Sequence, residues 1–298
     1  MGNRSEKKEE ISEILMETTL TRLNQKVCFI CGVGHSGSTL LGLILGSHRD
    51  CFYCGEAAKT RFLHNPDKPI KKRVCKICGF DCPVWGDLNL TDNLDLYEQV
   101  SRKTQKPITI DSTKNLEWLT EQLFAIAPTT AQPFLIFLQR DGRAVLNSRI
   151  RKYPDKDIQE LIETWRNQIQ LTNELFQNFD RKKIKVHYEE LATDPEKVTR
   201  NLCDFLEIDY QPQMLEYYQQ EHHPLGGNNG TQFLVAKARG EKIKEPIVSL
   251  SEKNRYYYQQ HSLGIRLDLR WKEELNPDIK SLFEEIAGTE NEELKWEA

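Results

Sequence analysis

The stretch "CGVGHSGSTLLGLILGSH", Cys31 to His48, carries Gly32 and Gly37 at the spacing of a phosphate-binding loop. In nucleoside-triphosphatase loops a lysine follows the second glycine and reaches the terminal phosphates; here Ser38 stands in its place. Unpaired N–H groups at a helix start, together with the helix dipole, favour an anion. His35, Ser36, Gly37, Ser38, Thr39 and Leu40 are therefore the candidate anion loop, with the hydroxyls of Ser38 and Thr39 adding contacts. A second candidate lies in "LQRDGRAVLNS". Arg140 ends an apolar strand, where α/β folds place ligands. Ser148 follows eight residues later, about two helical turns on, so both side chains can converge on one phosphate. Lys114, in "DSTK", follows a third apolar strand and is placed to neutralise charge between two ligand groups. No convincing carboxylate for Mg²⁺ accompanies them. A kinase reading therefore lacks both of its charge-neutralising parts.

These residues must be held by alternating strands and helices. "KVCFICGVG" (26–34), "PITIDSTK" (107–114), "PFLIFLQR" (133–140) and "KIKVHYEEL" read as buried strands or contain one. Helices are expected over 38–46, 115–126, 142–152 and 157–179, and after Asp194 as N-cap with Pro195 at the first helical position. Further helices close the chain within "DLRWKEELNPDIKSLFEEIA". The alternation predicts an α/β fold, P-loop-like and three-layered, with a central parallel sheet and helices on both faces. Residues 1–24 read as an amphipathic helical extension, and 25–298 as a single domain. That domain carries an irregular, cysteine-rich insertion at 50–90 and a lid or loop at 210–255, which includes "HHPLGGNNG".

With 298 residues, a net charge of -4 and a pI of about 6.0, the chain shows no bulk attraction to nucleic acid or anionic lipid. Its start, "MGNRSEKKEEISEIL", is too charged for a signal peptide, and no apolar run is long enough to span a membrane. Glu6 stands where N-myristoylation wants Ser or Thr. A cytoplasmic protein is expected, its eight cysteines being thiols or metal ligands. Cys51-x2-Cys54 and Cys75-x2-Cys78, 20 residues apart, fit a four-thiolate structural zinc site; thiols packed in a core are the alternative.

Taken in order, "GVGHSGSTLL", "RDGRAVLNS", "VHYEELATDPEKVTRNLCDFLEI" and "DLRWKEEL" resemble the motifs of sulfotransferases that use 3′-phosphoadenosine 5′-phosphosulfate (PAPS). The resemblance spans about Lys26 to Leu275. It makes the first motif the 5′-phosphosulfate loop and matches Arg140 and Ser148 to the 3′-phosphate arginine and serine. The loop region and the following Gly55-Glu56 are most similar to protein-tyrosine sulfotransferases and to bacterial members. The resemblance implies PAPS as co-substrate, a hydroxyl-bearing acceptor (small molecule, glycan, lipid or peptide), and Lys114 on the sulfuryl group. Glu56 is the candidate base, and His35 the candidate hydrogen-bond donor to the bridging oxygen, with a bound phosphosulfate favouring its cation. Two positions depart from the pattern: His35 replaces an arginine or lysine, and Ala57 replaces the second glutamate of the tyrosine-modifying enzymes. His222 and His223 are candidate lining of the acceptor pocket; Lys237 and Arg239 are placed to close over the 3′-phosphate. The alternatives are a small-metabolite kinase and a non-catalytic nucleotide-binding member.

Overall fold

A computed structural model describes residues 22–88, 95–240, 247–248, 250, 252–260 and 262–297. Five strands form one parallel sheet in the order β2-β3-β1-β4-β5. The strands are β1 (Lys26–Cys31), β2 (Cys51–Gly55), β3 (Ile108–Asp111), β4 (Gln132–Gln139) and β5 (Lys182–His187). The helices, in chain order, are α1 (Ser38–Gly46), α2 (Leu96–Thr104), α3 (Leu116–Ile126), α4 (Gly142–Lys152), α5 (Ile158–Asn178), α6 (Tyr188–Thr193) and α7 (Pro195–Leu206). Towards the C-terminus follow α8 (Asn229–Ala238), α9 (Glu252–Gln260), α10 (Trp271–Glu274) and α11 (Pro277–Asn291).

Successive side chains of a strand point to opposite faces, so each strand feeds two cores. Val27, Phe29 and Cys31 of β1, with Leu135 and Phe137 of β4, pack on Trp118 of α3 and Ile162 and Trp165 of α5. Cys28, Ile30, Phe134, Ile136 and Leu138 pack on Leu41 and Ile44 of α1 and Leu202 of α7. Both faces of the sheet are covered, which is why β1 and β4 read as continuous apolar runs. Burying each large aliphatic or aromatic side chain contributes about 1.5–3 kcal/mol. Asp194 caps α7 by accepting from the Lys197 N–H at 3.2 Å, with Pro195 at the first turn as expected.

The strand order puts the topological switch at β1. β3 flanks it on one side and β4 on the other, so the crevice beyond their carboxyl ends is the place for a ligand.

Two expectations are corrected, and a third falls outside the described residues. The region 50–90 is not wholly an insertion: Cys51–Gly55 is an edge strand of the sheet, buried along its whole length. Only a 3₁₀ turn (Ala57–Phe62) and one helical turn (Ile70–Arg73) occupy the described residues between β2 and α2. The region 210–255 is not a plain loop: α8 packs Phe233, Leu234 and Val235 inward. The helix expected over residues 1–24 lies, up to residue 21, outside the described residues.

Candidate functional site

The loop after β1 is shaped by two glycines. Gly32 has φ 128°, and a Cβ there would lie 2.5 Å from the Leu138 carbonyl oxygen. Gly37 has φ 93°, and a Cβ there would lie 2.5 Å from the Tyr188 ring. Any other residue is blocked at both places by space and by backbone strain. His35 also sits at positive φ, 76°; histidine is among the residues that tolerate this region. No side chain caps α1, its first turn carries no acid, and its first ring closes with Leu41 N–H donating to Gly37 O at 3.1 Å. The N–H groups of Ser38, Thr39 and Leu40 are left for a ligand. Ser36 is fully buried, and its hydroxyl has no partner among the described residues. Thr39 Oγ1 accepts from Asn228 N–H at 2.9 Å, which holds the start of α8 over the loop.

Lys114 enters from β3. Its Nζ donates to Ile30 O at 2.9 Å and to Ser112 O at 2.8 Å, directly under the loop. Burial pushes its pKa down to about 8, opposed chiefly by the Glu56 carboxylate. Asp111, unnoticed in the sequence, is what fixes this turn. It is buried and accepts from Tyr97 OH at 2.9 Å, Trp118 Nε1 at 2.8 Å, Thr113 N at 2.8 Å and Ala57 N at 3.1 Å. One carboxylate thereby positions both the Thr113–Lys114 turn and the backbone beside Glu56.

Arg140 enters from β4 on the other side. Its Nη1 donates to His35 O at 2.9 Å, and its guanidinium stacks over the Tyr188 ring at 4.2 Å. Asp268 lies 3.5 Å from Nη2, while Nε is buried without a partner among the described residues. Ser148, expected to join Arg140, is 2.9 Å from His35 Nδ1. His35 thus belongs to the arginine–serine group. Its ring is held neutral: burial, then the charges of Lys152, Arg149, Arg140 and Arg151, push its pKa down to about 3. Glu189, another residue missed in the sequence, is buried, accepts from Asp141 N at 3.1 Å, and is pushed up to about 7 by burial.

Glu56 closes β2 on the far side of β3. Its Oε1 accepts from Gly227 N at 3.1 Å, and its Oε2 pairs with Lys59. Burial raises its pKa, but the Lys59 ammonium and the other donors outweigh this and hold it below the usual carboxylate range. Glu56 is therefore ionised at neutral pH, facing Lys114 electrostatically. Ala57 is fully buried, so a glutamate there would enter the core.

Several anticipated residues are not brought to this site. Arg239 lies at the C-terminal end of α8, exposed, donating to Gln220 O at 3.1 Å. The N-terminal end of that helix meets Thr39, and its 10 residues put Arg239 roughly 15 Å farther along. Lys237 donates to Gln259 O at 2.9 Å. His222 is buried against Tyr217 O at 2.8 Å and pushed down to about 4 by burial. The four-cysteine set is not assembled either. Cys51 packs into the core on one face of β2 and Cys54 into the core on the other. An i,i+3 pair on a strand points opposite ways and cannot grip one ion. Cys75 and Cys78 instead gather with Cys82 and His223.

The strand-end carboxylates are not free for a metal–triphosphate. Asp111 is committed as described, and Asp141 caps α4 and pairs with Arg143. What stands at the switch point is a glycine loop at a helix start, with a lysine on one flank and an arginine–histidine–serine group on the other. A family model described as "Sulfotransferase family" matches residues 28–212, and the chain belongs to that family. It is 27% identical over 231 residues to protein-tyrosine sulfotransferase 1 of Danio rerio, covering 74% of this chain and 62% of that protein. Two solved structures share the fold. The sulfotransferase domain of the Synechococcus PCC 7002 olefin synthase has a TM-score of 0.56 at 22% identity, covering 89% of this chain and 95% of that one. The sulfotransferase domain from the curacin biosynthetic pathway has a TM-score of 0.52 at 19% identity, covering 89% and 98%.

Proposed function

We propose that the protein transfers the sulfuryl group of PAPS to a hydroxyl-bearing acceptor. The observation that carries this reading is two groups of cationic and hydroxyl-bearing side chains flanking one glycine loop. Lys114 with the start of α1 forms the first, and Arg140, His35 and Ser148 form the second. A donor with a 5′-phosphosulfate and a separate 3′-phosphate fits two such subsites; a linear triphosphate leaves the second idle. The buried, partnerless Ser36 hydroxyl and Arg140 Nε fit the same ligand. PAPS supplies the activated sulfuryl group. In the transfer a bond forms from the acceptor oxygen to sulfur, and the bond from sulfur to the bridging phosphate oxygen breaks. Lys114 and the N–H groups of Ser38–Leu40 meet the charge that grows on the leaving oxygen. Glu56 accepts the hydroxyl proton of the acceptor. His35, 2.9 Å from the Ser148 hydroxyl, orients that serine and the 3′-phosphate in place of the bridging-oxygen role first expected of it.

None of the eight cysteines is in a disulfide, which suits a reducing compartment, and we assign the enzyme to the cytoplasm. Among the described residues no helix is long and apolar enough to cross a membrane. The test incubates the protein with PAPS and a panel of phenols, sugars, lipid alcohols and tyrosyl peptides. Formation of 3′,5′-ADP matched mole for mole by a sulfated acceptor is expected. Turnover of ATP with Mg²⁺, and none of PAPS, would overturn the assignment.

A further inference from the structure

We propose that Cys75, Cys78, Cys82 and His223 bind one structural zinc ion. This quartet is distinct from the one the cysteine spacing suggested. Its four ligand atoms lie within 4.8 Å of one another. His223 Nδ1 is 3.1 Å from Cys78 Sγ and 3.6 Å from Cys82 Sγ. A tetrahedral zinc with Zn–S of about 2.3 Å and Zn–N of about 2.0 Å sets neighbouring ligand atoms roughly 3.5–3.8 Å apart, close to these separations.

The surroundings are those of a thiolate site. Cys75 to Gly79 forms a tight turn: Gly79 N–H donates to Cys75 O at 3.1 Å, and Gly79 takes φ 78°. That turn aims two backbone N–H groups, of Ile77 and Cys78, at Cys75 Sγ, at 3.4 and 3.5 Å. Such donors stabilise a thiolate far more than a thiol. His223 presents Nδ1 to the sulfurs, while Nε2 lies 3.0 Å from the Glu221 carboxylate. A carboxylate on the far nitrogen fixes tautomer and ring orientation, as metal-bound imidazoles require. The His223 carbonyl accepts from the buried Trp85 indole. Three thiolates and one imidazole complete a tetrahedron and leave no open position, so the ion holds structure rather than substrate. On binding, the thiols lose their protons to solvent.

The site sits where the fold needs a fastener. The stretch between β2 and α2 has only two short helical turns among its described residues. The segment after His223 is threaded between this stretch and β2. Lys76 N–H donates to Pro224 O at 3.0 Å, Leu225 N–H to Cys54 O at 2.9 Å, and Glu56 N–H to Leu225 O at 2.7 Å. Two residues on, Gly227 N–H reaches the Glu56 carboxylate. Zinc at the quartet would tie the cysteine turn and the strand end at Glu56 to one segment.

The test measures metal in the full chain, purified without chelator or added metal. About one zinc per chain is expected, as for a closed structural site. Cys78→Ser and His223→Gln should lose it, whereas Cys51→Ala and Cys54→Ala, with wild-type circular dichroism, should keep it. Should the first two variants fail to fold, wild-type protein exchanged into Co(II) gives an independent reading: thiolate charge-transfer and tetrahedral d–d bands are expected. Less than half an equivalent of zinc, an octahedral cobalt spectrum, or a disulfide among Cys75, Cys78 and Cys82 would overturn the proposal. Neither readout needs turnover, so loss of the zinc site and failure of sulfuryl transfer are separate results.

Discussion

Replacing Lys114 with methionine separates catalysis from folding. The lysine is held by two carbonyls, Ile30 O at 2.9 Å and Ser112 O at 2.8 Å. Burial lowers its pKa from 10.5 to about 8. At about 1.36 kcal/mol per unit this is at most roughly 3.4 kcal/mol of penalty. The side chain is only part-buried, so solvent screening leaves about 1–2 kcal/mol. Methionine removes that penalty but strips a donor from two carbonyls, at about 1 kcal/mol each. The two effects nearly cancel, and stability at pH 7 should change by less than about 1 kcal/mol. The pH dependence carries the sign. Below pH 8 both folded and unfolded chains hold the proton and the penalty is complete. From about 8 to 10.5 the unfolded chain binds more protons, so wild-type stability rises with pH. The methionine variant should lack that rise. Turnover should fall about 10²–10³-fold, the usual effect of deleting a donor aimed at developing charge. The assay pairs initial rates of 3′,5′-ADP formation from PAPS with urea melts at pH 7 and pH 9.5. Turnover within tenfold of wild type in a folded variant would refute the role of Lys114.

Other consequences follow from the same geometry. Glu56→Gln should cut turnover about 10²–10⁴-fold while 3′,5′-ADP affinity, measured by calorimetry, stays within about threefold. Arg140→Ala should weaken 3′,5′-ADP binding by about 1.5–3 kcal/mol, or roughly 10–150-fold, and leave 5′-AMP binding nearly unchanged, because only the 3′-phosphate loses its charged partner. His35, neutral down to about pH 3 in the fold but titrating near 6.5 when unfolded, makes the protein lose stability as pH falls from 6.5 toward 3. His35→Gln should make that acid loss shallower in thermal melts at pH 4.5 against pH 7.

The chain's regular parts were legible because their signals are local. Helices α1 and α4 lie where apolar runs and turn residues put them, over 38–46 and 142–152. Lys114 and Arg140 could be singled out because each follows an apolar strand, and parallel topology brings such ends together. What stayed hidden depends on contacts distant in sequence. β2 is five residues long and reads as cysteine-rich rather than strand-like until it pairs with β3. The bond of His35 to Ser148 joins residues 113 apart. Asp111 shows its importance only when Tyr97, Trp118 and Ala57 close around it. The CxxC at Cys51 misled because its spacing says nothing of conformation; on a strand its sulfurs diverge. Helix α8 was masked by the glycine- and asparagine-rich entry "HHPLGGNNG", whose Asn228 turns out to be its cap.

Calorimetry with 3′,5′-ADP, 5′-AMP and Mg²⁺–ATP at one ionic strength tests the donor site most directly. The two-subsite reading predicts that 3′,5′-ADP binds at least about tenfold more tightly than either competitor, the value of one charge-assisted contact. Equal affinity for 3′,5′-ADP and 5′-AMP, or tighter binding of Mg²⁺–ATP, would contradict it.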